Sequence, residues 1–387
     1  MRPLYSLDVS AVCRVPLICG QEDMGSRLLV SGAGTGVGNN VLRSLRVGDP
    51  GLILVGCHHD RFVLKKSTAD SNYLVHESTH PLFLESVRRV IEREKIDLLI
   101  PTSDRDVRVC SDLRGAIPCR VFLPSPRTIA LCQDKYELAT HLNLHGVGAP
   151  ITYPIEDLDS VEQVFARFDP SNLVWCRVRA GSGSTGAIPV KTAVQARSWI
   201  GYWADMRGIP STAFTLCEYL PGRDFGSQSL WRDGHLVLSK TFERLSYFIG
   251  GGSTPSGVSS VAALAKTVDE PRVEEAATAA VRVTDERATG LFGVDLKENA
   301  AGTPYVTEIN AGRPLAGTNL LDLTGKHNMM VTYVRLALGE PIAMQGEHDV
   351  AVDHYAVRDL DTLPGLFHAE ELFEGICDTR IREQGNR

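Results

Sequence analysis

FGVDLKENAAGTPYVTEIN, running from Phe292 to Asn310, is the stretch on which the reading of the fold turns. Two runs rich in strand-forming residues flank the turn AAGTP, so the segment is expected to be a β-hairpin. Successive strand residues face opposite sides, which puts Glu308 and Asn310 on one surface, and the turn folds Asp295 opposite them. Two carboxylates and a carboxamide form an oxygen-rich site. Such hard donors suit Mg²⁺, which takes one or two protein carboxylates together with substrate phosphates. The plainer alternative is a solvated polar strand face.

Before the hairpin, a helical pattern spans Glu270 to Thr289, preceded by GGGSTPSG from Gly250, read as a loop. Earlier still, AFTLCEYL is a strand, PGRD a turn, and a strand pair is split by a turn at Arg232 to Gly234. NLVWCRV and IPVK form a hairpin around the small-residue tip AGSGSTGA, with a helix from Ala193 to Met206 after it. Asp134 to His145 is helical and stops at HGVGAP. Towards the amino terminus, RLLVSG, LILVGC, IDLLIPT and CRVFLPS read as strands, with helical patterns in NNVLRSLR and LFLESVRRVIEREK. That alternation implies an α/β fold with a parallel, doubly wound, Rossmann-like sheet. After the hairpin one helix, a strand near Val350 to Val357 and a terminal helical stretch are expected.

The expected division is a loose leader over 1–25, a Rossmann-like unit over 26–125, and a linker and lid over 126–212. A catalytic unit over 213–345 and a carboxy-terminal extension over 346–387 complete it, and Met24 is a second plausible start. A chain of 387 residues is long enough for several such units. Forty basic residues against 47 acidic ones give a net charge of −7, which argues against a nucleic-acid backbone binder. No apolar run approaches the roughly 20 residues a membrane span needs. Nine cysteines, an odd number without a CxxC pair, suggest neither a zinc knuckle nor a disulfide framework and fit a reducing cytoplasm.

The hairpin also resembles the magnesium-binding hairpin of ATP-grasp enzymes such as D-alanine:D-alanine ligase and carbamoyl-phosphate synthetase. Further resemblances follow in that superfamily's order: QDKYEL with Lys135, VWCRVRAGSGSTGA with Arg177 and a glycine-serine flap, and CEYLPGRDF with Glu218 and Asp224. Four motifs in one order, between Ser26 and Gly339, are far more specific than any one of them. The resemblance implies an ATP-grasp catalytic part with α+β character behind a Rossmann-like amino-terminal domain. It also implies ATP and Mg²⁺ (or Mn²⁺) as cofactors, and formation of an amide or peptide bond through an acyl phosphate.

Each implied role has a physical reason. Lys135 and Arg177 would neutralise the α and β phosphates while backbone N–H groups of the flap, including Gly183, Ser184, Thr185 and Gly186, close over the β and γ oxygens. Arg177 stands where many members have lysine, and its planar fork suits bidentate phosphate contact. The Glu218, Tyr219 and Leu220 backbone would meet the adenine edge, and Asp224 the ribose hydroxyls; the plainer reading of Asp224 is a turn-stabilising aspartate. Asp295, Glu308 and Asn310 are the implied metal ligands. Arg313, in INAGRP, suits a carboxylate or acyl phosphate, while Lys240 and Arg244, in SKTFERL, would approach the γ phosphate or substrate unless they only form a charged strand face.

GAGTGVG from Gly32 fits no dinucleotide fingerprint, because Val37 or Asn39 takes the third glycine position; it reads equally as an anion cradle at a helix start or a tight turn. His58 and His59, beyond a strand end, carry no assignment. Small carboxylates and amines are the expected partners, with no nucleic acid or membrane, and a homodimer is compatible. The rival readings are a bicarbonate-phosphorylating enzyme like carbamoyl-phosphate synthetase, an NAD-dependent oxidoreductase, and a nucleotide-binding regulator without turnover.

Overall fold

RLLVS and ILVGCH are almost wholly apolar, the pattern of strands covered on both faces, and in the computed structural model they pair in parallel. The structure describes residues 25–181, 183–247, 262–357 and 374–380. The first sheet contains β1 (Arg27–Ser31), β2 (Ile53–His58), β3 (Ser71–Leu74) and β4 (Leu98–Ile100), in the order β3-β2-β1-β4. Helices α1 (Gly36–Gly48), α2 (Arg61–Leu64) and α3 (Phe83–Glu94) connect them. Thr35 starts α1 by accepting the Gly38 amide at 3.1 Å, an N-cap bond that satisfies an otherwise orphaned donor. Because β2 and β4 lie on opposite sides of β1, the loops leaving β1 and β4 diverge and open a crevice at the carboxyl ends of the strands.

CRVFLPS, expected as a strand, makes only an isolated bridge between Leu98 and Arg120. Pro118 and Pro124 bracket it, and proline cannot donate to a ladder. It is instead tied down by Arg120 Nη1 donating to the Ala337 carbonyl at 3.0 Å and the Tyr333 hydroxyl to the Phe122 carbonyl at 2.8 Å. Three helices follow β4: α4 (Asp104–Asp112), α5 (Pro126–Cys132) and α6 (Lys135–Leu144). Asp134 caps α6 through the Tyr136 and Glu137 amides.

The second sheet is antiparallel, with β5 (Thr152–Pro154), β6 (Val174–Val178), β7 (Ile188–Val190) and β8 (Phe214–Glu218) in the order β5-β8-β6-β7. Helices α7 (Val161–Phe165) and α8 (Ala193–Arg207) cover it and share its small separate core. The third sheet joins β9 (Asp224–Arg232), β10 (His235–Tyr247), β11 (Ala262–Thr267), β12 (Gly290–Glu298) and β13 (Pro304–Ala311) to β14 (Glu347–His348) and β15 (Tyr355–Val357). Helix α9 (Pro271–Thr284) packs on β13, β10 and β9. The first and third sheets meet in continuous hydrophobic cores, one of which runs from Leu29 and Val55 to Phe292 and Val294.

Two helices, α10 (Thr318–Thr324) and α11 (Met329–Leu338), stand where one was expected, and β16 (Ile376–Asp378) pairs in parallel with β3. The carboxy-terminal segment is therefore woven into the first and third sheets. The expected leader, the GGGSTPSG loop and the terminal helical stretch lie outside the described residues. Among the described residues no helix is long and apolar enough to cross a membrane.

Asp322 on α10 is buried and accepts the Met329 amide at 2.9 Å; burial pushes its carboxyl up to about 6. A carboxyl raised on folding adds stability below its unfolded value and loses it as pH rises through the folded one. The Asp322→Asn protein is therefore expected to gain stability relative to wild type between pH 4 and 7, read as paired urea midpoints; parallel pH profiles would contradict this.

Candidate active site

A cleft of about 1100 Å³ opens where the three sheets converge, and its walls come from all of them. On the third sheet Asp295 sits directly across from Glu308 in the β12–β13 register. The Asn310 Nδ2 donates to Asp295 Oδ2 at 3.0 Å, so the three predicted oxygen ligands are adjacent. A bulge lies beside Asp295, where Thr307 Oγ1 donates to the Asp295 carbonyl at 3.0 Å; bulges re-aim side chains in this way.

Cations from separate elements face this hairpin. Lys135, at the start of α6, is 8% exposed, lies 3.5 Å from Glu308 Oε2 and donates to the Gly181 carbonyl at 2.7 Å. Arg244 on β10 bridges Asp224 at 2.8 Å and Asp295. Burial alone would lower the Arg244 guanidinium; the two carboxylates outweigh it and raise the value. Burial raises the Asp295 carboxyl, with Arg244 opposing and Glu308 adding to the rise. That residual repulsion is what a bound cation would relieve, so the donor set fits a hard divalent metal.

Arg177 on β6 is 7% exposed, and only its Nη1 finds a protein partner, the Thr307 carbonyl at 3.2 Å. Its Nε and Nη2 are buried without a hydrogen-bond acceptor. An unsatisfied buried guanidinium is costly, and in a cleft wall its open N–H groups have the chemistry to receive an anion's oxygens. The flap residues Gly183, Ser184 and Thr185 line the same cleft. Gly186 adopts φ +63°, and a Cβ there would lie 2.8 Å from Phe214 and Val178, so glycine is what lets the flap close up against the core of the second sheet.

Glu218, Tyr219 and Leu220 form the wall at the end of β8. The Glu218 amide is already donated to the Ile151 carbonyl at 2.9 Å, leaving its carbonyl and the next two residues to meet a ligand edge. Trp175 and Tyr219 rings lie 6.2 Å apart beside it, an aromatic surface suited to a planar base. Asp224 is in the cleft but already accepts from Arg244 and from the Tyr247 hydroxyl, the latter at 2.5 Å. Arg313 reaches the cleft as well; it pairs with Asp104 and donates to Asn310 Oδ1.

Lys240 corrects the expectation. It is 1% exposed, lies outside the cleft wall, and donates to Asp349 Oδ2 and the Leu321 carbonyl, each at 2.9 Å. Strand spacing put it on the face of Arg244, but the return of the chain beside β10 supplies a buried carboxylate first. Sequence reasoning also missed Asp104, Asp106 and Tyr247 and left His58 unassigned, although all four line the cleft. The signal for three of them was their place just after strands of a parallel sheet, where such folds put their sites.

No family model and no curated protein sequence matches the chain. Solved structures do. An L-amino acid ligase from Bacillus licheniformis aligns with a TM-score of 0.59 at 14% identity, covering 81% of this chain and 74% of that one. A biotin carboxylase from Campylobacter jejuni, solved with an ATP analogue, gives 0.62 at 14% identity over 85% and 74%. N5-carboxyaminoimidazole ribonucleotide synthetase from Thermotoga maritima gives 0.55 at 16% identity over 82% and 77%. These neighbours are ATP-grasp ligases, and the chain has the ATP-grasp fold.

Removing one member of a buried ion pair strands the other, at about 3–5 kcal/mol. The Lys240→Met protein should show a loss of that order in urea unfolding while keeping its ATP affinity, measured by fluorescence titration. A folded Lys240→Met protein that no longer binds ATP would return Lys240 to the site.

Proposed function

We propose that the chain is an ATP-dependent, ADP-forming carboxylate–amine ligase that works through an acyl phosphate and makes an amide or peptide bond on a small carboxylic or amino acid. The observation that carries this reading is the buried, half-unpaired Arg177 guanidinium in the same cleft as the facing carboxylates Asp295 and Glu308. One is a receptor for phosphate and the other for the metal that accompanies it.

In this reading Lys135 and Arg177 hold the α and β phosphates, and the backbone of Gly183 to Gly186 covers the terminal ones. The end of β8 receives the adenine, and Asp224 meets the ribose with the lone pairs that Arg244 and Tyr247 leave open. Asp295, Glu308 and Asn310 would hold Mg²⁺ or Mn²⁺, which would supply neutralising charge to the phosphates. Arg244 and Arg313 orient the substrate carboxylate for in-line attack on the γ phosphorus, and the amine then displaces phosphate from the acyl phosphate. The chain contributes positioning and fixed charge without a covalent intermediate. Flap closure keeps water from the acyl phosphate.

We assign residues 26–125 as the Rossmann-like unit, 126–212 as linker and lid, 213–345 as the catalytic unit and 346–387 as an extension. The parallel order of β1 to β4 supports the first unit; the second sheet, with its separate core, takes in β8, which carries the lid on to Glu218. A second reading, with bicarbonate as the acid phosphorylated, is favoured by likeness to a 2-oxoglutarate carboxylase domain from Hydrogenobacter thermophilus solved with MgADP and bicarbonate (TM-score 0.63, 14% identity).

The test is Mg²⁺-dependent ADP release across pools of carboxylates, with and without amines. Stimulation by one acid and one amine, absent in Glu308→Ala, supports the ligase, whereas release on bicarbonate alone supports the second reading. Lys135→Met should lose a charge-assisted contact and slow ADP release about 10- to 150-fold. An unchanged rate would remove Lys135 from the mechanism, and tight ATP binding without any release would favour a regulator.

A further inference from the structure

The wall of the cleft built by the parallel sheet is not needed for nucleotide. Its charged groups there are Glu77, Asp104, Arg105 and Asp106, at the ends of β3 and β4 and in the first turn of α4. Glu77 pairs with Arg105 and Asp104 with Arg313. Among the described residues Asp106 has no cationic side chain within ion-pair distance. Its Oδ2 accepts the Ser31 hydroxyl at 2.7 Å, and the same Ser31 oxygen accepts the Thr102 amide at 3.3 Å, so the carboxylate is fixed between β1 and β4.

His58, at the end of β2, belongs to the same wall. Its Nδ1 accepts the Asp60 amide at 2.8 Å, which leaves the proton of a neutral ring on Nε2 as a donor. Burial, and then the neighbouring His59, hold the His58 imidazole below its ordinary value, so the ring is neutral near pH 7. The His58 ring stacks on that of His59 with a centroid separation of 4.4 Å, which fixes its direction. One uncompensated carboxylate and one neutral N–H donor are too few for a metal ion; they fit an organic cation with a hydrogen-bond acceptor.

We propose that Asp106 and His58 form the acceptor subsite, which takes a protonated primary amine whose neighbouring carbonyl or hydroxyl oxygen accepts from His58; the Asp106 carboxylate takes a proton from the ammonium before the freed nitrogen attacks. The inference rests on the ligase reading for its place in the reaction, though not for its chemistry. It divides the cleft by charge: the acid substrate is held at the Arg244 and Arg313 end, where cations stand, and the amine at the Asp106 end. A substrate carboxylate at Asp106 would meet repulsion, so an amine carrying a second negative charge beside its nitrogen is disfavoured.

The probe is glycinamide, an ammonium beside a neutral carbonyl, compared with its uncharged counterpart glycolamide. Binding is followed by ligand-observed NMR on the full chain with Mg²⁺ and a non-hydrolysable ATP analogue, in wild type, Asp106→Asn and His58→Phe. Asparagine can still accept from Ser31, so the first variant keeps that contact. Wild type should bind glycinamide and not glycolamide; Asp106→Asn should weaken it about 10- to 150-fold, and His58→Phe about 2- to 10-fold. Equal binding of both probes, no glycinamide binding, or unchanged affinity in the folded variants overturns the subsite. Binding of the analogue in the same samples separates the two claims. Glycinamide bound to protein that takes no nucleotide removes the ligase reading and leaves the subsite, while nucleotide without glycinamide does the reverse.

Discussion

Asp295 and Glu308 face each other across adjacent strands in a partly buried place, and two like charges so held are tolerated only if positive charge is brought to them. Much of the architecture answers that requirement. Arg244 comes from the neighbouring part of the third sheet, Lys135 from the start of α6, and Arg313 from the loop after β13. None of these cations is local to the acids in sequence except Arg313. The capping of α6 by Asp134, itself paired with Arg179 at 2.7 Å, therefore matters beyond the helix, because it fixes where Lys135 stands. The second sheet, built on its own core, carries Arg177 and the flap to the same cleft.

The elements that could be read from the chain were those whose pattern is local. The hairpin from Phe292 to Asn310 has strand alternation and a turn of small residues, and its register put Asp295 across from Glu308 as expected. Helices α1 and α3 show comparable periodicity, and the first two strands are continuous apolar runs. Short elements such as β3 and α5 carry too few residues to display a period. CRVFLPS has strand composition, but its bounding prolines and its contacts with α11 decide otherwise. Hydrophobic content alone could not reveal that competition.

The site shows the same division. Arg177, the flap and the end of β8 follow one another in motifs, whereas Arg244 and Lys240 look alike in SKTFERL. What separates them is Asp349, more than a hundred residues away, and no local spacing contains it. Asp106 and His58 are also unremarkable in sequence; their meaning comes from the diverging loops of a parallel sheet and from which charges nearby are already paired.

The strand β16 pairs with β3 and, through Thr379, donates to the carbonyl of Leu74, across 305 residues of chain. At synthesis rates of 5–20 residues per second that separation corresponds to roughly 15–60 s. During that interval the outer edge of β3 presents open backbone groups, and exposed edges invite pairing with other chains. The outer edge of β3 is thus made long before the strand that covers it, and in that interval it is open to pairing with other chains.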